Sequence, residues 1–279
     1  MRTNLVKRQF IGKAVILILL MTGSIIMLLP FFWMLSTSLK PDDQMFSSNW
    51  IPSPVRWENY RDALTAIPFL LYLKNTLFIS FWTILGTVLS SALVGYSFAR
   101  LRWPGRDILF GIMLATMMIP PQVTMVPVFM LMRGFGWFNT FLPLTVPPFL
   151  GGSAFFIFLM RQFFLTLPTD LEDAARVDGC GVLRTFAIIM LPQVKPALAT
   201  VGIFTFMASW NDFMGPLIYL SEERKYTLAL GLQSFLTENM AVWNHLMAFS
   251  TVLLVPLLAL FFFAQRYFIE GITLTGMKA

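Results

Sequence analysis

Residues 75–99 read NTLFISFWTILGTVLSSALVGYSFA, bracketed by Lys74 and Arg100, with no charged side chain between them. A helix rises 1.5 Å per residue, so roughly 20 apolar residues cross a hydrocarbon layer about 30 Å thick. This run is long enough. Five more stretches pass the same test: Ala14 to Leu35, Ile108 to Met132, Phe141 to Met160, Ala197 to Leu220 (interrupted only by Asp212), and Leu246 to Gln265. They predict an all-α polytopic membrane protein with six transmembrane helices, forming a single transmembrane domain over residues 1–279.

The composition agrees. Hydrophobic residues make up 57% of the chain and charged residues 12%, against about 25% in a soluble domain; the mean hydropathy is +0.72. Too few charges are present to coat a water-facing surface. One cysteine, Cys180, and one histidine, His245, exclude an internal disulfide framework and argue against a zinc cluster. The net charge of +6 does not point to nucleic acid, because the basic residues sit at the ends of apolar runs. His245, at the start of the last run, reads as an interfacial residue.

Arg2, Lys7, Arg8 and Lys13 precede the first apolar run, as in a secretory signal. The run is too long for one, however, and no small-residue cleavage site follows. Six crossings place both termini on one side. That side carries the N-terminal cluster, then Arg100, Arg102 and Arg106, then Arg161, Arg176, Arg184 and Lys195, and finally Arg266 and Lys278. It is the more basic side and therefore the expected cytoplasmic one. Residues 37–68, 133–140 and 221–243 become external loops. Pro120, Pro121, Pro127, Pro147, Pro148 and Pro256 fall inside apolar runs, where each removes a backbone donor. They suit either kinked helices along a path or ordinary packing irregularity.

The longest cytoplasmic loop, about 161–196, holds the informative pattern. Thr169 and Glu172 form a capping box that predicts a short helix through Asp178, and Gly179 is placed to end it with a positive φ. A second amphipathic piece follows through Leu183, Phe186 and Ile189 to Leu191-Pro192. Leu171, Ala174 and Ala175 share one small apolar face at helical spacing. Periodicity alone favours a helix lying on the membrane surface; a docking helix for another protein is the other reading.

Asp173-Ala174-Ala175, then Gly179, then Ile189, then Leu191-Pro192 resembles the cytoplasmic signature of ABC importer permeases: E-A-A, three residues, G, nine residues, I, one residue, L-P. The spacing matches throughout, with Asp173 in place of the usual Glu. Trp210-Asn211-Asp212-Phe213, Met118-Ile119-Pro120 and Glu270-Gly271-Ile272-Thr273 resemble strings of carbohydrate-importer permeases, in particular the maltose-permease-like smaller subunit. The resemblance implies a coupling helix between the fourth and fifth spans, with Leu171, Glu172, Asp173, Ala174, Ala175, Arg176, Asp178 and Gly179 facing an ATPase. It implies a dimer of ATPase subunits that binds ATP and Mg, a second related permease, an extracytoplasmic solute-binding protein and a small-molecule solute, in a cell inner membrane.

No G-x-x-x-x-G-K-[ST] is present, so no cofactor or catalytic residue is expected in this chain. A carboxylate at mid-bilayer costs roughly 2.5–3.5 kcal/mol on insertion scales. Asp212 should therefore face protein or water. With Trp210 and Asn211 it could touch a sugar; it could equally make a structural contact near a helix end. Gln122, beside Pro121, carries the same two readings. A permease for a non-sugar solute is the nearest alternative. A secondary transporter would leave the loop signature unexplained, and a membrane-embedded enzyme lacks H-E-x-x-H and G-x-S-x-G motifs. The topology is tested by Cys180, which should resist a membrane-impermeant maleimide in intact cells; ready labelling from outside would overturn every loop assignment.

Overall fold

The computed structural model describes the backbone of residues 2–47, 49–237 and 240–276, and the side chains of residues 12–47, 49–236 and 242–265. The string Glu270–Thr273 and the basic residues Arg2, Lys7, Arg8, Arg266 and Lys278 therefore have side chains outside the described residues. The chain divides into two compact units, Met1–Ile67 with Leu232–Val255, and Pro68–Gly231 with Pro256–Ala279.

The first unit opens with α1 (Arg2–Ser38), whose most apolar 18-residue stretch within Gly12–Ser38 buries none of its residues within the chain, although Thr37 and Ser38 at its end are buried. That surface suits lipid or another membrane helix and would be untenable in water. The last carbonyls of a helix need partners. Asn59 of α2 (Glu58–Thr65) donates its amide to the carbonyls of Ser38 and Lys40, each at 2.9 Å. Lys40 is fully buried; its ammonium donates to the Ser47 carbonyl at 3.2 Å and lies 4.3 Å over the Trp33 ring.

The second unit is built on α3 (Phe69–Arg100), a helix of 32 residues. The sequence places its charge-free core at residue 75; the helix begins a turn and a half earlier and carries Lys74. Thr76, Ser80, Thr87, Ser90 and Ser91 on it are buried. The remaining apolar runs are more broken than the sequence suggests. The third run is α4 (Arg106–Thr116) and α5 (Pro121–Gly134), bent by 102°. Residues 117–119 tighten into three i to i−3 bonds of 3.1 Å before Pro120, and Pro121 starts the new helix where its missing donor costs nothing.

The fourth run contains α6 (Leu142–Thr145), a 3₁₀ turn at Pro147–Leu150 and α7 (Ala154–Thr166). Pro148 excludes the Leu144 carbonyl from helical bonding. Thr83 of α3 donates to that carbonyl at 3.1 Å, and Ser90 donates to the Pro148 carbonyl at 2.7 Å. Next come α8 (Asp170–Val177), α9 (Val182–Arg184), a π-helical turn Thr185–Met190 and α10 (Leu191–Gln193). Then α11 (Lys195–Trp210) and α12 (Met214–Tyr219) cover the fifth run. Expected as one span, that run stops at Trp210. The bent apolar pair here is instead Val182–Gln193 with Lys195–Trp210, at 80°.

A short turn, α13 (Leu228–Gly231), ends the unit's first segment. In the first unit a two-residue ladder pairs Leu236 with Ala241. Finally α14 (Trp243–Gly276) carries the sixth run. Among the described residues, four helices are long and apolar enough to cross a membrane, or up to six if each bent pair is one span.

Gly95 lets α3 and α7 approach. A Cβ there would sit 2.7 Å from the Met160 Cβ and 3.0 Å from the Arg161 amide nitrogen. Gly95→Ala should lower stability in detergent by about 1–3 kcal/mol through overpacking. Gly111→Ala, where a Cβ meets nothing within 4 Å, should be neutral. Thermal unfolding of both variants checks this; equal midpoints would contradict the close approach.

Candidate functional site

Helix α8 is an eight-residue amphipathic turn with acids at its start and Arg176 near its end, as the helix dipole favours. The capping box expected at Thr169 is absent. Thr169 has helical φ and ψ and makes no side-chain cap bond. Glu172 is drawn off in another direction. Its Oε1 accepts from the Tyr96 hydroxyl at 2.9 Å, and its Oε2 lies 3.7 Å from the Arg100 guanidinium. Both carboxylate and guanidinium are largely buried, with side chains 15% and 7% exposed.

Arg100 also donates to the carbonyls of Phe164, at 3.1 Å, and of Leu167. These belong to the end of α7, where unpaired carbonyls and the dipole favour a cation. One guanidinium therefore joins three helix ends. The Tyr96 ring lies 5.4 Å from Phe164 and 5.1 Å from Phe186, which fixes the direction of its hydroxyl. Neither Tyr96 nor Arg100 stood out in the sequence; Arg100 entered only as a topology charge. The available signal was a basic residue and a tyrosine four apart at the C-terminal end of an apolar run.

The far end of α8 follows the sequence. Gly179 has φ +77°, the Cys180 amide donates to the Ala175 carbonyl at 2.8 Å, and the Gly179 amide donates to the Arg176 carbonyl at 3.1 Å. This 6→1 and 5→2 pair is a Schellman ending.

The face expected to be shared by Leu171, Ala174 and Ala175 is split. Ala175 is 2% exposed, and Leu171 packs on the inner cluster with Phe164 and Met190. Ala174 is exposed, as is Val177 at 88%. Asp170, Asp173, Ala174 and Val177, at helical spacing, form the outward face. Asp173 pairs with Arg176 at 3.4 Å in the open, and Asp178 is exposed at the cap.

The four residues expected along a path fall in two places, Gln122 on α5 and Trp210, Asn211 and Asp212 at the end of α11. Gln122 is exposed in the first turn of α5. Trp210 is buried and stacks on Phe206 at 5.3 Å. Asn211 donates to the Met207 carbonyl at 2.8 Å, and Asp212 accepts from the Gly215 amide at 3.0 Å. His245 accompanies Asn244, whose side-chain oxygen accepts its amide at 2.9 Å.

The opposite end of α3 holds another junction. Tyr72 donates to Glu223 at 3.2 Å, Asn75 donates to the carbonyls of Arg224 and Tyr226, each at 2.9 Å, and the Leu228 amide donates to Thr76 at 2.9 Å. Beside it Arg224, Asn139 and Lys225 hold the Glu222 carboxyl near a pKa of about 2. A depressed carboxylate contributes fully above its unfolded value, so this contact is complete at neutral pH and fails only as pH falls toward 2.

The sequence profile described as "Binding-protein-dependent transport system inner membrane component" matches residues 91–273. The chain belongs to that family. The match takes in Tyr96, Arg100 and all of α8. The permease is similar to the arabinooligosaccharides transport system permease protein AraQ of Bacillus subtilis (strain 168), 34% identical over 262 residues, covering 91% of this chain and 92% of that one. It is similar also to the diacetylchitobiose uptake system permease protein DasC of Streptomyces coelicolor, 30% identical over 278 residues, covering 98% and 99%. Its fold matches a chain in the crystal structure of a bacterial ABC transporter involved in the import of the acidic polysaccharide alginate. The TM-score is 0.81 at 23% identity, over 92% of this chain and 96% of that one.

Proposed function

We propose that this permease is the membrane-spanning subunit of an ATP-driven, binding-protein-dependent importer for oligosaccharides or related sugar and polyol phosphates. The names of the AraQ and DasC relatives support the solute class. The chain crosses the inner membrane six times with both termini in the cytoplasm, each bent pair serving as one crossing. The two compact units serve one translocation domain. Hydrolysis belongs to a separate dimer of ATPase subunits that holds ATP and Mg; a second, related permease and an external solute-binding protein complete the machine.

The observation that carries this reading is the attachment of α8. The helix bearing the loop signature is fixed to the inner end of α3 through Glu172. Its outward face, with Asp173, Ala174 and Val177, docks on the ATPase. Motion of that partner then reaches a membrane helix through a buried contact, as a rigid-body transition requires. Gln122, exposed beside the break between α4 and α5, is the path contact. Asn211 and Asp212 use their polar atoms to hold the break between α11 and α12.

Two variants separate the parts. Val177→Asp places a charge on the docking face without touching the permease's own packing. Gly179→Val leaves the space free but forces a β-branched residue to φ +77°, at a cost of roughly 1–2 kcal/mol. Both chains should insert normally. Uptake and binding-protein-stimulated ATP hydrolysis in reconstituted vesicles should both fall. Full uptake with normal stimulation in either variant would remove α8 from the coupling role.

A further inference from the structure

The connection between α3 and α4 plays no part in the coupling contacts, yet it encloses a cavity. Arg102, Trp103, Gly105, Arg106, Asp107 and Ile108 line an open space of about 370 Å³. Its polar lining is rich in donors. The Trp103 indole nitrogen is buried and has no hydrogen-bond partner. Arg102 is exposed and makes no ion pair among the described residues. Arg106 spends its Nε on Asp107 at 2.9 Å and its Nη1 on the Leu101 carbonyl at 3.1 Å. The one carboxylate present is thereby engaged, and the cavity retains a net positive charge.

An orphaned indole N–H beside an unpaired guanidinium calls for an acceptor-rich anion. Position narrows its source. The cavity follows directly on the end of the 32-residue apolar helix α3, and α4 leaves it with exposed Ile108, Leu109 and Ile112. It thus lies where a span begins and ends, the level at which arginine and tryptophan meet lipid headgroups. Those exposed apolar residues give an acyl chain a surface to follow. A free anion would gain nothing from them.

We propose that Arg102, Trp103 and Arg106 bind the phosphate headgroup of an anionic phospholipid, whose chains lie along α4. The inference goes beyond the transport reading and does not depend on the solute. Arg102 is exposed, and Phe98, whose ring is 5.6 Å from Trp103, keeps an aromatic neighbour in Trp103→Phe, which removes the N–H donor together with one ring of the indole.

The full-length chain in detergent micelles should be titrated with short-chain phosphatidylglycerol, phosphatidylcholine and inorganic phosphate, with bound species counted by native mass spectrometry. Phosphatidylglycerol should bind more tightly than phosphatidylcholine and should resist displacement by an equal concentration of phosphate. Arg102→Gln and Trp103→Phe should each weaken it by about tenfold, the worth of one charge-assisted hydrogen bond. Equal binding in both variants would overturn the proposal. So would displacement by phosphate as readily as by phosphatidylglycerol itself, which would mark a site for free anions.

Discussion

Proline inside an apolar span frees carbonyls that lipid cannot satisfy, and α3 supplies the missing donors. Thr83 and Ser90 donate to the carbonyls of Leu144 and Pro148, while Ser80 shares a hydrogen bond with Ser209 of α11 at 3.1 Å. Each unsatisfied group in hydrocarbon would cost several kcal/mol. Small side chains serve the same helix in a second way: at Gly86 a Cβ would lie 2.6 Å from the Phe149 ring, and at Gly95 it would meet the α7 backbone. Close approach and hydroxyl bonding are the two forces available where water cannot drive helices together. The broken fourth apolar run depends on both.

The same helix ties down loops at each of its ends. Tyr72, Asn75 and Thr76 hold the segment from Glu223 to Leu228, and Tyr96 with Arg100 holds Glu172. From Tyr72 to Arg100 the separation is about 42 Å at 1.5 Å per residue. A continuous helix with no proline between these grips is stiffer than the bent pairs around it. Buried ion pairs are weak evidence for stability but can specify one arrangement. Here the Glu172 carboxylate has its two partners on one helix, so α8 has one seat. That seat is what lets α8 act as a coupler in the proposed importer.

Much of this was legible in the sequence, for physical reasons. A charge-free run of 25 residues from 75 to 99 has few folds open to it, and it became the core of α3. Gly179 announced its positive φ because few other residues adopt one. The loop signature carried the family. The hydroxyl stripe of α3 went unread, since serine and threonine inside an apolar run say nothing about which carbonyls they will meet. The capping box failed at Thr169 because Glu172 found stronger partners on a distant helix, a competition invisible in local spacing. Helical periodicity grouped Leu171, Ala174 and Ala175 on one face, yet Ala175 faces inward and Ala174 outward, a split that spacing alone does not reveal. The fifth run hid its break at Trp210 because Asn211 and Asp212 are polar in sequence for a local reason, the termination of one helix and the start of another.

The account rests on the claim that Glu172 transmits motion between α8 and α3. The direct measurement is the number of solute molecules imported per ATP hydrolysed by the complete importer in vesicles, comparing Glu172→Gln with the unaltered chain. The amide keeps the shape and can still accept from Tyr96, but it leaves Arg100 without its charge partner. Hydrolysis should continue while import per ATP falls about tenfold, since ~1.4 kcal/mol of lost contact suffices for that factor. An unchanged ratio, with the variant fully inserted and assembled, would contradict the account.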